Sequence, residues 1–210
     1  MEKVIILDFG SQYTQLIARR LRELKVYSEI LPYNSELDLA DPHLKAVILS
    51  GSPFSVNDPN ALHLELAPIL DKKPILGICY GAQLTAKQFG GRVEQSDKRE
   101  YGKASMRIAH GDTLFEDVED GSQVWMSHGD SIKQLPDGFE ILADTASIPV
   151  AAFRSAPGRF KHSIRCIQFH PEVTHSLQGE AILRNFLVKT AGCSQDWTPA
   201  SFIDLSLIHI

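Results

Sequence analysis

Cysteine is scarce in this chain: 210 residues hold three, Cys79, Cys166 and Cys193. An odd number at wide spacing excludes a disulfide framework, and no two lie close enough for a CxxC-type zinc site. Whatever they do, they do as free thiols. Long apolar runs are missing too. The first, residues 4–7, is interrupted at once by Asp8, too short and too early for a signal peptide, and no later run approaches the length of a membrane span. Nor is there an excess of basic residues: 21 Lys and Arg stand against 26 Asp and Glu, a net charge of −5, which argues against a nucleic-acid or anionic-membrane surface. Internal repeats, low-complexity tracts and a flexible linker before Gly192 are also absent. What remains is ordinary globular composition, 43% apolar and 22% charged, enough for one sizeable core. The expectation is a soluble, cytoplasmic protein of one main domain, with no nucleic-acid or membrane partner.

Four short, nearly unbroken apolar runs stand out, at residues 4–7, 46–49, 75–78 and 166–169. Continuous hydrophobicity suits strands covered on both faces, as in a parallel sheet between layers of helices. Tyr13, Leu16, Ile17, Leu21 and Leu24 recur with helical period after the first run, leaving Arg19, Arg22 and Glu23 on a solvated face. Further helices are expected over residues 61–70, 82–89 before the stop signal Gly90-Gly91, and 179–190 before Gly192. From residue 92 to about 153 the texture changes to short segments (105–109, 123–126, 139–142) split by Gly-Asp, Asp-Gly and Pro-Asp-Gly turns. That pattern predicts antiparallel hairpins appended to an α/β fold with a mostly parallel central sheet.

Each apolar run ends in residues poor at packing and good at chemistry: Asp8-Phe9-Gly10-Ser11, Ser50-Gly51-Ser52-Pro53, Cys79-Tyr80-Gly81 and His170-Pro171-Glu172. In open α/β sheets ligands gather beyond the carboxyl ends of the strands, so these endings are expected to share one crevice. Gly77-Ile78-Cys79-Tyr80-Gly81 has the form of a nucleophile elbow with Cys in place of Ser. Glycines two residues to either side allow a strained strand-to-helix turn, and the helix N-terminus favours the thiolate. His170 is the expected base and Glu172 the group that orients it. His and Glu this close in sequence are also metal-ligand types, but no third ligand stands at a recognisable spacing, so no metal is expected. Cys166, inside a strand, and Cys193 are expected to be bystanders. His128, in Ser127-His128-Gly129-Asp130, is a loop residue with a plausible substrate contact.

These residues resemble those of the class I, triad-type glutamine amidotransferases, over residues 2 to 203. The G-x-C-x-G pattern with His-Pro-Glu downstream is highly specific. Within the family the chain is most similar to the GMP-synthase branch, in residues 6–13 (Ile-Leu-Asp-Phe-Gly-Ser-Gln-Tyr), Arg99-Glu100-Tyr101-Gly102, residues 124–130 (Val-Trp-Met-Ser-His-Gly-Asp) and residues 168–175 (Gln-Phe-His-Pro-Glu-Val-Thr-His). The resemblance implies a flavodoxin-like fold and hydrolysis of L-glutamine to glutamate and ammonia by a Cys79–His170–Glu172 triad. It further implies an oxyanion hole of backbone N–H groups from Tyr80 and Ser52, with Gly51, Gln83, Ser127, His128 and Gly129 around the substrate. Two positions depart from the family pattern: Ser52 stands where a second glycine is usual, and Ala82 where Met is more common.

The same resemblance implies no cofactor for the glutaminase itself. ATP and Mg2+ would serve a partner, an ATP pyrophosphatase (synthetase) domain that aminates XMP to GMP, and its S-G-G-V-D-S motif is absent here. Residues 1–192 are expected to form the amidotransferase domain and 193–204 the start of a linker toward that partner. Residues 205–210, Leu-Ser-Leu-Ile-His-Ile, match the in-frame translation of the mosaic-end adapter used in transposase-based DNA library preparation, CTGTCTCTTATACACATC, and are expected to be foreign to the natural gene. The rival expectations are a glutaminase subunit of another synthase, of anthranilate or carbamoyl-phosphate type, and a catalytically silent binding module.

Overall fold

A computed structural model describes residues 1–200, with residues 97–100 described by their backbone alone. The expected tail at 205–210 and the last part of the expected linker lie outside the described residues. One nine-stranded sheet runs through the molecule in the order β2-β1-β3-β4-β9-β8-β7-β5-β6. Its first half comprises β1 (Lys3–Asp8), β2 (Tyr27–Pro32), β3 (Leu44–Leu49), β4 (Ile75–Ile78) and β9 (Ile164–Ile167), all parallel. This is the 2-1-3-4-5 order of flavodoxin-like sheets. The second half, β5 (Arg92–Ile108), β6 (Gln123–Gln134), β7 (Phe139–Thr145) and β8 (Ala152–Ser155), is antiparallel.

The unbroken apolar runs are explained by cover on both faces. Val4, Ile6, Ala46 and Ile48 pack under α1 (Thr14–Glu23) and α4 (Gly179–Asn185), while Ile5, Leu7, Val47 and Leu49 face α2 (Ala67–Leu70) and α3 (Tyr80–Gln88). Each alternate side chain therefore enters a different half of the core. No described helix is long and apolar enough to cross a membrane.

Several boundaries differ from the sequence expectations. The helix expected over 61–70 is only the turn Ala67–Leu70, with Pro68 in its first turn. Proline lacks the N–H and collides with the preceding turn of a longer helix, so residues 61–66 stay irregular. β2 has no unbroken apolar run to announce it: it is an edge strand of mixed burial, and Pro32 sits harmlessly at its end. The short antiparallel segments are parts of longer strands, and β5 pairs with β6 from Arg92↔Gln134 to Ser105↔Gln123 around an irregularity between Gln95 and Glu100. α4 passes directly into a π-helical turn, Phe186–Thr190, rather than continuing as α-helix.

Residues 193–197 fold back onto the domain. Ser194 bonds Glu2 through its backbone N–H and hydroxyl, each at 2.7 Å, and the Trp197 N–H donates to the Lys25 carbonyl at 3.0 Å.

Candidate active site

The elbow is visible in the backbone. Cys79 lies between β4 and α3 with φ 53°, one of few non-glycine residues with positive φ. The flanking glycines are required by contact rather than flexibility. A Cβ on Gly77 would stand 2.9 Å from the Cys166 sulfur and from the Gly81 carbonyl, and one on Gly81 would stand 2.6 Å from the Leu49 Cβ. Strand, turn and helix are thus pressed together around Cys79, whose sparsely populated conformation is held by its surroundings. The Cys79 N–H donates to Ile167 on β9 at 2.8 Å, and the Gly81 N–H donates to Ser50 just after β3 at 3.2 Å.

The carboxyl ends of β1, β3 and β4, the chain after β9 and the middle of β6 surround a cavity of about 500 Å³. Its walls include Ser52, Cys79, Gln83, Ser127, His128 and His170. His170 Nδ1 stands 2.7 Å from Glu172 Oε1, with both side chains buried. The His170 N–H donates to the Trp125 carbonyl at 3.0 Å, and the Ser176 hydroxyl donates to the His170 carbonyl at 2.5 Å. Tyr13 lies edge-on to the imidazole, ring centres 4.9 Å apart. Burial alone would lower the affinity of His170 for a proton, but Glu172 and the Cys79 sulfur outweigh it and hold the imidazole well above its ordinary pKa. The carboxylate and the sulfur thus both favour a protonated ring at His170. Burial pushes the thiols of Cys166 and Cys193 each up to about 12, so neither supplies a thiolate near neutral pH.

The remaining expected residues fall into three groups. Gln83 is buried in the wall, its Nε2 donating to the Asp130 carbonyl at 2.8 Å, and the Ser127 carbonyl faces the Cys79 sulfur at 3.8 Å. Gly129 also lines the cavity, with open space where a Cβ would be. Gly51 lies behind the wall: a Cβ there would meet His170 Cε1 at 3.2 Å and Cys79 Cβ at 3.7 Å, so its contribution is to let those two side chains approach. Tyr80 sends its side chain away from the site, its hydroxyl donating to the Leu62 carbonyl at 2.9 Å, which leaves its backbone N–H at the head of α3. Among the described residues nothing accepts a hydrogen bond from the N–H of Tyr80 or of Ser52.

His128 is not in a loop as expected but within β6, paired in the β5–β6 ladder; it is 5% exposed and neither ring nitrogen has a hydrogen-bond partner. Burial, with the charge of nearby His170 adding, brings its pKa down to about 4, so the ring is neutral at physiological pH. Sequence reasoning missed Tyr13 as a wall of the site, the Ser55 hydroxyl bond to Asp130, and Ser176 as the brace of His170. Ser55 and Asp130 are 75 residues apart, and no local pattern joins them.

A family model described as glutamine amidotransferase class-I matches residues 5–190. The chain belongs to that family. As a class-I amidotransferase it is 54% identical over 210 residues to the GMP synthase [glutamine-hydrolyzing] of Cytophaga hutchinsonii, covering all of this chain and 40% of that one. It is 50% identical over 214 residues to the corresponding protein of Chlorobaculum tepidum, covering all of this chain and 41% of that one. The chain thus spans about 40% of the length of these curated relatives. Among solved structures, a GMP synthase-type protein from Thermoplasma acidophilum matches with TM-score 0.77 and 33% identity, over 91% of this chain and 95% of that one. A glutamine amidotransferase from Thermotoga maritima, TM-score 0.70 and 18% identical, shares the fold over 91% of this amidotransferase and 99% of its own chain.

Proposed function

We propose that the domain hydrolyses the side-chain amide of L-glutamine through a Cys79–His170–Glu172 triad, as the glutaminase part of a GMP synthase. One observation carries the chemistry: a thiol forced to a helix N-terminus in the same cavity as an imidazole whose far nitrogen is 2.7 Å from a buried carboxylate. Cys79 as thiolate attacks the amide carbon, and the oxyanion is met by the backbone N–H groups of Tyr80 and Ser52. The imidazolium of His170 gives its proton to the departing ammonia, leaving a glutamyl thioester. His170 then takes a proton from water, which attacks the thioester and releases glutamate with the thiolate restored. Glu172 stabilises the imidazolium at the first stage and again at the end. Gln83 and the Ser127-His128-Gly129 segment hold the glutamine, and neutral His128 offers the substrate a polar contact without a competing charge. No cofactor enters this half of the reaction.

The relatives named GMP synthase support the destination of the ammonia. It would be passed to an ATP pyrophosphatase domain that uses ATP and Mg2+ to activate XMP for amination to GMP. The test mixes this chain with such a synthetase domain, XMP, Mg-ATP and glutamine, and measures glutamate and GMP. Both products are expected, and both are lost in Cys79→Ala. Glutamate without GMP, with a synthetase shown active on free ammonia, would refute the assignment to GMP synthesis. Undiminished glutamate release by Cys79→Ala would refute the triad.

A further inference from the structure

The carboxylate of Glu172 is secured at one oxygen only: Oε1 meets His170, while Oε2 is buried without a hydrogen-bond partner. With a single hydrogen bond of its own, this buried side chain depends for its direction on the main chain behind it. That main chain is gripped by a distant element. Arg20, in the last turn of α1, donates its Nε–H to the Glu172 carbonyl at 3.0 Å across 152 residues of sequence, while its Nη1 pairs with Glu23 at 2.7 Å. Its neighbour Arg19 bonds Glu23 and points to solvent, its side chain 73% exposed.

We propose that Arg20 is a positioning residue for the glutaminase reaction: its guanidinium ties the Glu172 backbone to α1 and so sets the Glu172–His170 contact. The proposal rests on the triad reading above. A guanidinium holds two acceptors at fixed angles in one plane, the carbonyl of Glu172 through Nε and the carboxylate of Glu23 through Nη1. A lysine ammonium in its place has the charge without that fork. Among the described residues, the groups facing His170 are Cys79 at the head of α3, His128 on β6, Tyr13 just before α1, and Glu172 itself. Glu172 is the one carboxylate among them, and it opposes the burial that would strip the imidazole of its proton. Slack in Glu172 therefore weakens the imidazolium rather than the binding of glutamine.

The test compares glutaminase kinetics and pH profiles of the parent chain, Arg20→Met, Arg20→Lys and Arg19→Met. Arg20→Met is expected to lower kcat about 10- to 100-fold, the cost of misplacing a reacting group by up to about 1 Å. KM for glutamine stays within about twofold, since uniform binding is untouched. The alkaline limb of the profile moves to lower pH by about half to one pH unit as the imidazolium loses support. Arg20→Lys restores neither property, and Arg19→Met behaves as the parent. A second readout is independent of turnover: with Cys79→Ala as background, NMR titration of the His170 ring moves to lower pH when Arg20→Met is added. Arg20→Met that melts earlier but keeps the parent kcat and alkaline limb overturns the proposal, as does full rescue by lysine or an unmoved NMR titration. If the parent chain releases no glutamate even with the synthetase domain, XMP and Mg-ATP present, the triad reading fails by itself, and the NMR arm still decides the role of Arg20.

Discussion

Replacing Gly81 by alanine would place a methyl group 2.6 Å from the Leu49 Cβ and 2.8 Å from the Leu49 carbonyl oxygen. Comfortable carbon contacts lie at about 3.5–4.0 Å, so strand and helix must separate by about 1 Å. Neither side can yield cheaply, because Leu49 sits in the central strand β3 and the Gly81 N–H is bonded to the carbonyl of Ser50, the next residue along. Overpacking of this kind costs about 1–3 kcal/mol. The same displacement reaches Cys79 two residues earlier, where about 1 Å of misplacement costs about 100-fold in rate. Urea unfolding and glutaminase kinetics on one preparation read both effects, with Gly111→Ala as control, since open space surrounds that glycine. The expected result is a lower urea midpoint at unchanged slope for Gly81→Ala, a fall in kcat of about two orders of magnitude, and no change for Gly111→Ala. Gly81→Ala with parent stability and a kcat within about twofold of the parent would show that the elbow does not depend on this contact.

Three further outcomes follow from named groups. His128 has a folded-state pKa of about 4, below the value of about 6.5 it takes when exposed, so its contribution favours the fold above pH 6.5 and is lost as pH falls toward 4. His128→Gln should shrink the drop in stability between pH 7 and pH 4.5, a drop to which the histidine contributes up to about 2 kcal/mol, and unfolding at those two pH values measures it. Asp112, its side chain fully buried, bridges Arg165 at 2.8 Å and Arg154 at 2.6 Å, and although burial opposes its charge, these partners hold its carboxyl below the usual range. Asp112→Ala leaves two partly buried guanidinium groups without this carboxylate and should cost about 3–5 kcal/mol in urea unfolding; a loss under about 1 kcal/mol would mean that solvent replaces the network. Brief alkylation of the native protein at neutral pH should label Cys79 and spare Cys166 and Cys193, whose thiols burial keeps protonated, and label on either of the latter in a peptide map would contradict that burial.

The parallel half of the sheet was legible because strands covered on both faces cannot hide: residues 4–7, 46–49 and 75–78 all lie within strands. The last run, 166–169, is displaced, since β9 ends at Ile167 and Gln168 and Phe169 are buried beyond it. Buried hydrophobicity marks core, not the end of a ladder. The edge strand β2 escaped because half-covered strands mix polar and apolar residues. That Cys79, His170 and Glu172 lie together could be anticipated because the elbow and the His-Pro-Glu segment are local in sequence. Their supports could not. Ser176 bonds the His170 carbonyl from six residues away, Arg20 reaches Glu172 across 152, and Gly51 matters through the absence of a side chain.

The central claim is that Cys79 carries the glutamyl group. Mixing the chain with glutamine, quenching in acid within one turnover and mapping the peptides tests it most directly. The expected result is a glutamyl thioester on the Cys79 peptide that forms before glutamate appears and is absent from Cys79→Ala. Glutamate released at full rate with no adduct on that peptide would contradict it.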